Sequence, residues 1–230
     1  IMCGIVGYVD FKNKTSLKEL EKMTQTLTHR GPDAFSFEQI TSANCQLGLG
    51  HRRLSIIDLS EGGKQPMSFN EYWICFNGEV YNYNEIKSEL IALGHTFDST
   101  SDTEVVLHAF VQWGNSCLEK LIGMFAFVVM DTVNNKLFCA RDRAGVKPFF
   151  YSYKEGLFLF SSELKAFHEH PRFEKKLNKN AVAAFMQYGN VPTPHCIFES
   201  CFKLKPGHYM EVSLDSESDV FVSPKNQVQY

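Results

Sequence analysis

The chain opens IMCGIVGYVD (residues 1–10), and the run from Gly4 to Asp10 sets how the rest is read. Its β-branched and aromatic residues form a strand that begins almost at the N-terminus. Cys3 stands directly before it, and the small Gly4 leaves room for a substrate beside the sulfur. Taken alone, such a cysteine is more often a small buried hydrophobe than a nucleophile. A thiolate attacks well, but the thiol is mostly protonated at neutral pH and needs a base. With Cys3 as first residue, its own α-amino group, of pKa about 7.7–8.0, would be that base, acting directly or through a water.

Outward from this strand, Ser16 and Glu19 form a capping box before a helix whose apolar stripe is Leu17, Leu20, Met23 and Leu27. A polar HRGPD loop follows, then strand-like runs at Phe35 to Ile40, Gln46 to Ile57 and Tyr72 to Phe76. The second of these alternates Leu47, Leu49 and His51, as a strand with unlike faces does. Asn82 with Glu85, and Ser101 with Glu104, cap two further helices that end at Gly94 and Gly114. From Met124 the pattern returns to strands: MFAFVVMD, an Asn134-Asn135 turn, KLFCAR, then FFYSY and LFLFSS around a KEG turn. A short helix near Ser162 to Phe167 and another from Asn178 to Tyr188 lead into the VPTPH loop. The pattern predicts an α+β domain over residues 2–212, two antiparallel sheets face to face with helices outside. Residues 213–230 read as a polar tail, either a weak strand or a linker.

Of 230 residues, 44% are hydrophobic, enough for a sizeable core. The formal charge is −3, with no basic run, so neither nucleic acid nor an anionic membrane is an expected partner. No apolar stretch reaches the roughly 18 residues of a membrane span, and there is no signal-peptide layout, so a cytoplasmic protein is expected. The seven cysteines (Cys3, Cys45, Cys75, Cys117, Cys139, Cys196, Cys201) include no CxxC pair, and no His or Cys set completes a zinc site around Cys196 and Cys201. No metal is expected.

Eight motifs then occur in order: MCGIVGY (2–8), HRGPD (29–33), GHRRLSIID (50–58), QPM (65–67), NGEVYNY (77–83), SDTEVVL (101–107), GMFAFVVMD (123–131) and ARDRAGVKPFFY (140–151). Together they resemble the N-terminal glutaminase domain of the asparagine synthetase (glutamine-hydrolysing) family, a class II glutamine amidotransferase, over nearly the whole chain. The resemblance implies a four-layer αββα N-terminal-nucleophile (Ntn) hydrolase sandwich that hydrolyses L-glutamine to glutamate and ammonia. It implies Cys3 as nucleophile and Asn77 with Gly78 as oxyanion hole, although an Asn-Gly pair is also a favoured hairpin turn. Arg53 would bind the substrate carboxylate through its guanidinium fork. Arg52, on the opposite face of a strand, would be a surface or structural residue. Asp102, with Glu79, would take the substrate ammonium, while Asp102 also stands where a helix-capping residue does. Arg30 and Gly31 resemble residues lining the nucleophile's loop, or simply form a Gly-Pro turn. His29 and His51 read as structural, because the α-amino group replaces an imidazole base, and the aromatics from Phe149 to Phe160 read as core.

Two departures from the family pattern stand out. Ile1-Met2 precedes Cys3, and an amino group tied up in a peptide bond is no base. The expectation is that Ile1 is foreign and that Met2 is the initiator, removed in the active protein. No SGGxDS-type loop occurs either, so ATP and Mg²⁺ are expected only in a C-terminal synthetase domain beyond this chain, with no cofactor in this one. That domain is the expected partner, using the ammonia to turn aspartate into asparagine. Amino-sugar, purine or surface-polysaccharide acceptors, a non-catalytic pseudo-glutaminase, and a homodimer remain open. Loops 29–36 and 58–66 are candidates for ordering around the site.

Overall fold

The computed structural model describes residues 3–42, 44–55, 61–217 and 227–230. The first half runs β1 (Gly4–Asp10), α1 (Leu17–Gln25), β2 (Ala34–Thr41), β3 (Gln46–Arg53), β4 (Met67–Phe69), β5 (Tyr72–Val80), α2 (Tyr83–Ala92), α3 (Asp102–Trp113) and α4 (Cys117–Lys120). The second half adds β6 (Gly123–Asp131), β7 (Lys136–Arg141), β8 (Phe150–Lys154), β9 (Leu157–Ser161), α5 (Lys179–Tyr188), β10 (Cys201–Lys203), β11 (His208–Ser213) and β12 (Val228–Gln229). Among the described residues these strands form two six-stranded sheets, in the orders β10-β8-β9-β1-β3-β2 and β12-β11-β7-β6-β5-β4. The β1–β3 and β5–β6 pairings within them are antiparallel.

Side-chain alternation makes the layers, since successive residues of a strand face opposite ways. Ile5 and Val9 of β1, with Leu47 and Leu49 of β3, pack against Cys75, Ala126 and Val128 of the other sheet. Val6 and Tyr8, one residue out of phase, pack instead against Leu20 and Met23 of α1. In the second sheet Ile74, Phe76, Phe125 and Phe127 turn outward to Ile86, Leu90, Val106 and Phe110 of α2 and α3. The result is the expected αββα sandwich, with one core between the sheets and one under each helical layer. No helix among the described residues is long and apolar enough to cross a membrane.

Local differences from the sequence reading have physical causes. Asn77-Gly78 is not a turn: it lies inside β5, paired with Ala126 and Phe125 of β6. The strand therefore runs four residues past the expected Phe76. Asn82 does not cap α2 with its side chain, which instead donates to the Lys120 carbonyl at 2.9 Å and accepts from the Ile122 N–H at 2.9 Å. Glu104 ties back the preceding loop through the Asp98 and Ser99 N–H groups, both at 2.8 Å, leaving Ser101 alone to cap α3. The expected helix near Ser162 is a 3-10 turn at Leu164–Glu169. β4 and β10, three residues each, are too short to show a period-2 alternation, and β11 follows directly on the Pro206-Gly207 turn signal, outside the runs expected as strands. β3 stops at Arg53, short of the expected run: Leu54 and Ser55 follow it outside the strand, and residues 56–57 of the run, with the start of the 58–66 loop, fall outside the described residues.

Candidate active site

β1 and β3 run antiparallel with Gly4 opposite Arg52, so the start of one strand meets the end of the other. This brings Cys3 beside the residue after β3: the Leu54 N–H donates to the Cys3 sulfur at 3.3 Å. Cys3 is half-buried, whereas the other six cysteines are buried. Burial pushes the Cys3 thiol above its ordinary value, the Leu54 N–H draws it down, and so do the charges of Lys147 and Arg53, while the Asp102 carboxylate raises it. The sulfur thus sits among two cations and one anion, each carried by a different element.

The HRGPD loop supports the same point. Arg30 donates from Nε to the Cys3 carbonyl at 2.9 Å and from Nη1 to Glu163 at 3.1 Å. Gly31 is where the loop crosses the end of β3: a Cβ there would lie 2.4 Å from the Arg52 carbonyl. Its own carbonyl accepts from Arg52 Nε at 3.0 Å, and the Arg52 guanidinium lies 5.1 Å from the centre of the Phe35 ring. Arg52 is accordingly buried and structural. Arg53, facing the other way, lays its guanidinium over Gly63, where a Cβ would be 2.3 Å from Nη2. A cavity of about 180 Å³, lined by Ser36, His51, Arg53 and Gln65 among others, opens beside it.

The second sheet supplies the remaining candidates from β5 and α3. Asn77 is 0% exposed, and neither end of its side-chain amide has a hydrogen-bond partner among the described residues. Gly78 packs against β6 so closely that a Cβ would lie 2.4 Å from the Met124 carbonyl. Glu79 is half-buried. Two residues on from Gly78, the Val80 N–H donates to Asp102 at 3.1 Å. Asp102 is 5% exposed, and burial pushes its carboxyl up to about 6 against the pull of the Val80 and Thr103 N–H groups. It opens α3 without capping it, since Ser101 accepts the Thr103 N–H.

The two motif histidines, His29 and His51, are engaged with other partners. His51 is buried, its Nε2 lies 3.2 Å from the Phe76 carbonyl, and burial pushes it down to about 3. His29 is structural in a different sense from the one expected: it is exposed and lies on the surface beside Glu163 at 2.8 Å. Among the described residues no group of three or more His, Cys, Asp or Glu side chains could hold a metal. Sequence reasoning missed Lys147, Leu54 and Glu163. For Lys147 there was a signal, a single cation inside the apolar run VKPFFY. Leu54 acts through its backbone, which no side-chain motif announces.

Residues 2–221 match the family model described as a glutamine amidotransferase domain. The chain belongs to that family. As a class II glutamine amidotransferase, its chemistry is glutamine hydrolysis with release of ammonia. The domain is 41% identical over 221 residues to asparagine synthetase [glutamine-hydrolyzing] 3 of Bacillus subtilis (strain 168), covering 93% of this chain and 35% of that protein. It is 37% identical over 232 residues to a putative asparagine synthetase [glutamine-hydrolyzing] 2 of Methanocaldococcus jannaschii, covering 93% and 44%. The chain thus spans less than half the length of these curated relatives. In fold it resembles the glutamine phosphoribosylpyrophosphate amidotransferase of B. subtilis in complex with ADP and GMP, with a TM-score of 0.66 at 19% identity, covering 93% of this chain and 48% of that one. This likeness is one of fold: two sheets packed face to face with helices outside.

Proposed function

We propose that this amidotransferase domain hydrolyses L-glutamine at Cys3, with Asn77 and Gly78 as the oxyanion hole. The observation that carries the reading is Asn77, a fully buried amide with neither end partnered among the described residues. Leaving buried polar groups unpaired costs about 1–3 kcal/mol each, and such orphans need an explanation. An oxygen that becomes negative only during reaction supplies one, because it takes up the amide donor when the charge develops.

The Cys3 α-amino group, free once the preceding residues are removed, accepts the thiol proton, and the sulfur bonds to the substrate's side-chain carbonyl carbon. The carbonyl electrons move to the oxygen, which receives hydrogen bonds from the Asn77 amide and the Gly78 N–H. Collapse of this intermediate breaks the C–N bond, and the leaving nitrogen takes the proton from the α-ammonium to depart as ammonia. Water then attacks the thioester, giving glutamate and restoring the thiol. Arg53 holds the substrate carboxylate and Asp102, with Glu79, its ammonium, two charges that fix which amide reaches the sulfur.

The ammonia would pass to a synthetase activity of the kind that names the curated relatives, of whose length the matched region is 35% and 44%. Their similarity favours aspartate, activated by ATP with Mg²⁺, as the acceptor. Trapping tests the covalent step. Hydroxylamine added during turnover should yield γ-glutamyl hydroxamate, and Cys3→Ala should abolish it; hydroxamate formed equally by the variant would refute Cys3 as the nucleophile.

A further inference from the structure

Asp33 ends the HRGPD motif, and neither the sequence nor the proposed chemistry gives it a task. It is exposed, so core packing does not account for it. Its place is at the end of the β2–β3 ladder, whose last register pair is Ala34 with Arg53. Beyond that pair the chain leaves β3, and the next two peptide groups, Arg53-Leu54 and Leu54-Ser55, lie outside the ladder.

These two peptide groups hold the Cys3 sulfur. The Leu54 N–H donates to Sγ at 3.3 Å, and the thiol donates to the Leu54 carbonyl at 3.6 Å. Each group has its other end on Asp33. The Asp33 N–H donates to the Arg53 carbonyl at 3.1 Å, and the Asp33 carboxylate accepts the Ser55 N–H at 2.8 Å. A trans peptide group is planar, with its C=O and N–H pointing opposite ways, so holding one end aims the other. Asp33 thus clamps Leu54 from both sides, and Leu54 turns one donor and one acceptor toward the sulfur.

We propose that Asp33 is a positioning residue for the nucleophile, aiming the two Leu54 peptide groups that seat the Cys3 sulfur. This deepens the reading of Cys3 as nucleophile and rests on it. The seat serves both states of the sulfur. The Leu54 carbonyl takes the S–H of the resting thiol, and the Leu54 N–H remains as a donor to the thiolate once that proton has left. Backbone dipoles aimed in advance need no reorganisation when charge develops. Arg30 of the same loop holds the Cys3 carbonyl at 2.9 Å, so HRGPD grips the nucleophile by its main chain directly and by its sulfur through Leu54.

The test is steady-state glutamate release by protein beginning at Cys3, unsubstituted and carrying Asp33→Ala or Asp33→Asn, with thermal unfolding to show that each is folded. Asp33→Ala frees the Ser55 N–H, and kcat should fall about 10–100-fold with KM for glutamine little changed, as misplacement of a reacting group by about 1 Å implies. The amide oxygen of Asp33→Asn still accepts the Ser55 N–H, so kcat should return to within about 3-fold of the unsubstituted value. An unchanged kcat in folded Asp33→Ala would overturn the proposal. So would equal losses in both variants, which would make the charge rather than the clamp responsible, or a raised KM with kcat intact, which would make Asp33 a substrate contact. If Asp33→Ala fails to fold, Asp33→Leu, close in shape but without an acceptor, carries the same comparison. Absence of glutamate release from the unsubstituted protein would instead contradict the glutaminase reading, so the two failures are distinct.

Discussion

The Arg30 guanidinium donates to the main-chain carbonyl of Cys3 at 2.9 Å while its other arm holds Glu163 at 3.1 Å. The nucleophile's backbone is thereby fixed from a loop 27 residues away in sequence. Arg30→Met removes a hydrogen bond from a charged donor, of the class that contributes about 1.5–3 kcal/mol. The expected result is a loss of about 10–100-fold in kcat, with KM for glutamine little changed. Steady-state kinetics check this, and a raised KM with intact kcat would make Arg30 a substrate contact.

Asn77→Ala should separate catalysis from stability. Removing an oxyanion donor costs about 10²–10³ in kcat. The same change deletes two buried polar atoms that have no partner among the described residues, so the melting temperature should hold or rise. Thermal unfolding beside glutaminase kinetics decides it. A large drop in melting temperature with activity retained would make Asn77 structural.

Gly78→Ala should act through backbone crowding. Its Cβ would come within 2.4 Å of the Met124 carbonyl and 2.8 Å of the Phe125 Cα, so β5 and β6 must separate. Overpacking of this kind costs about 1–3 kcal/mol. Denaturant melts should show that loss, together with a fall in kcat as the Gly78 N–H is displaced.

Asp102 carries a pH prediction with a definite sign. Its carboxyl is raised to about 6 from an ordinary 3.8, so the folded chain binds this proton more tightly than the unfolded one. Its contribution to stability is fullest below about 4, falls as pH rises to about 6, and is absent above that. Asp102→Asn should therefore be as stable as the unsubstituted chain at pH 8 or more so, by up to about 3 kcal/mol. Its KM for glutamine should nonetheless rise by about 10–100-fold through loss of the ion pair with the substrate ammonium. In the unsubstituted protein KM should climb as pH drops through 6, and a flat KM between pH 5 and 8 would remove Asp102 from the ammonium site.

How much the sequence revealed depended on whether the signal was local. The β1 strand, the α1 stripe and the hairpins of the second half lie in contiguous runs, and the sandwich followed from them. That Arg52 and Arg53 face opposite ways followed from strand alternation, while the choice of Arg53 for the pocket came from the family resemblance. Asn77-Gly78 was ambiguous because a dipeptide cannot show whether a strand partner stands opposite; β6 supplies that partner. Glu163 was invisible because it reaches Arg30 across 133 residues of chain, and Lys147 showed only as a lone cation in an apolar run, with nothing local to tie it to the site. Asn82 misled for a similar reason, its cap position being overridden by bonds to the end of α4 and the residue before β6.

The most direct measurement is glutamate release from L-glutamine by protein whose first residue is verified as Cys3, beside the same protein carrying Cys3→Ala. Release that vanishes in the variant, with both chains folded, is the predicted result. Equal release from both, or none from the folded unsubstituted protein, would contradict the assignment of Cys3 as an N-terminal nucleophile.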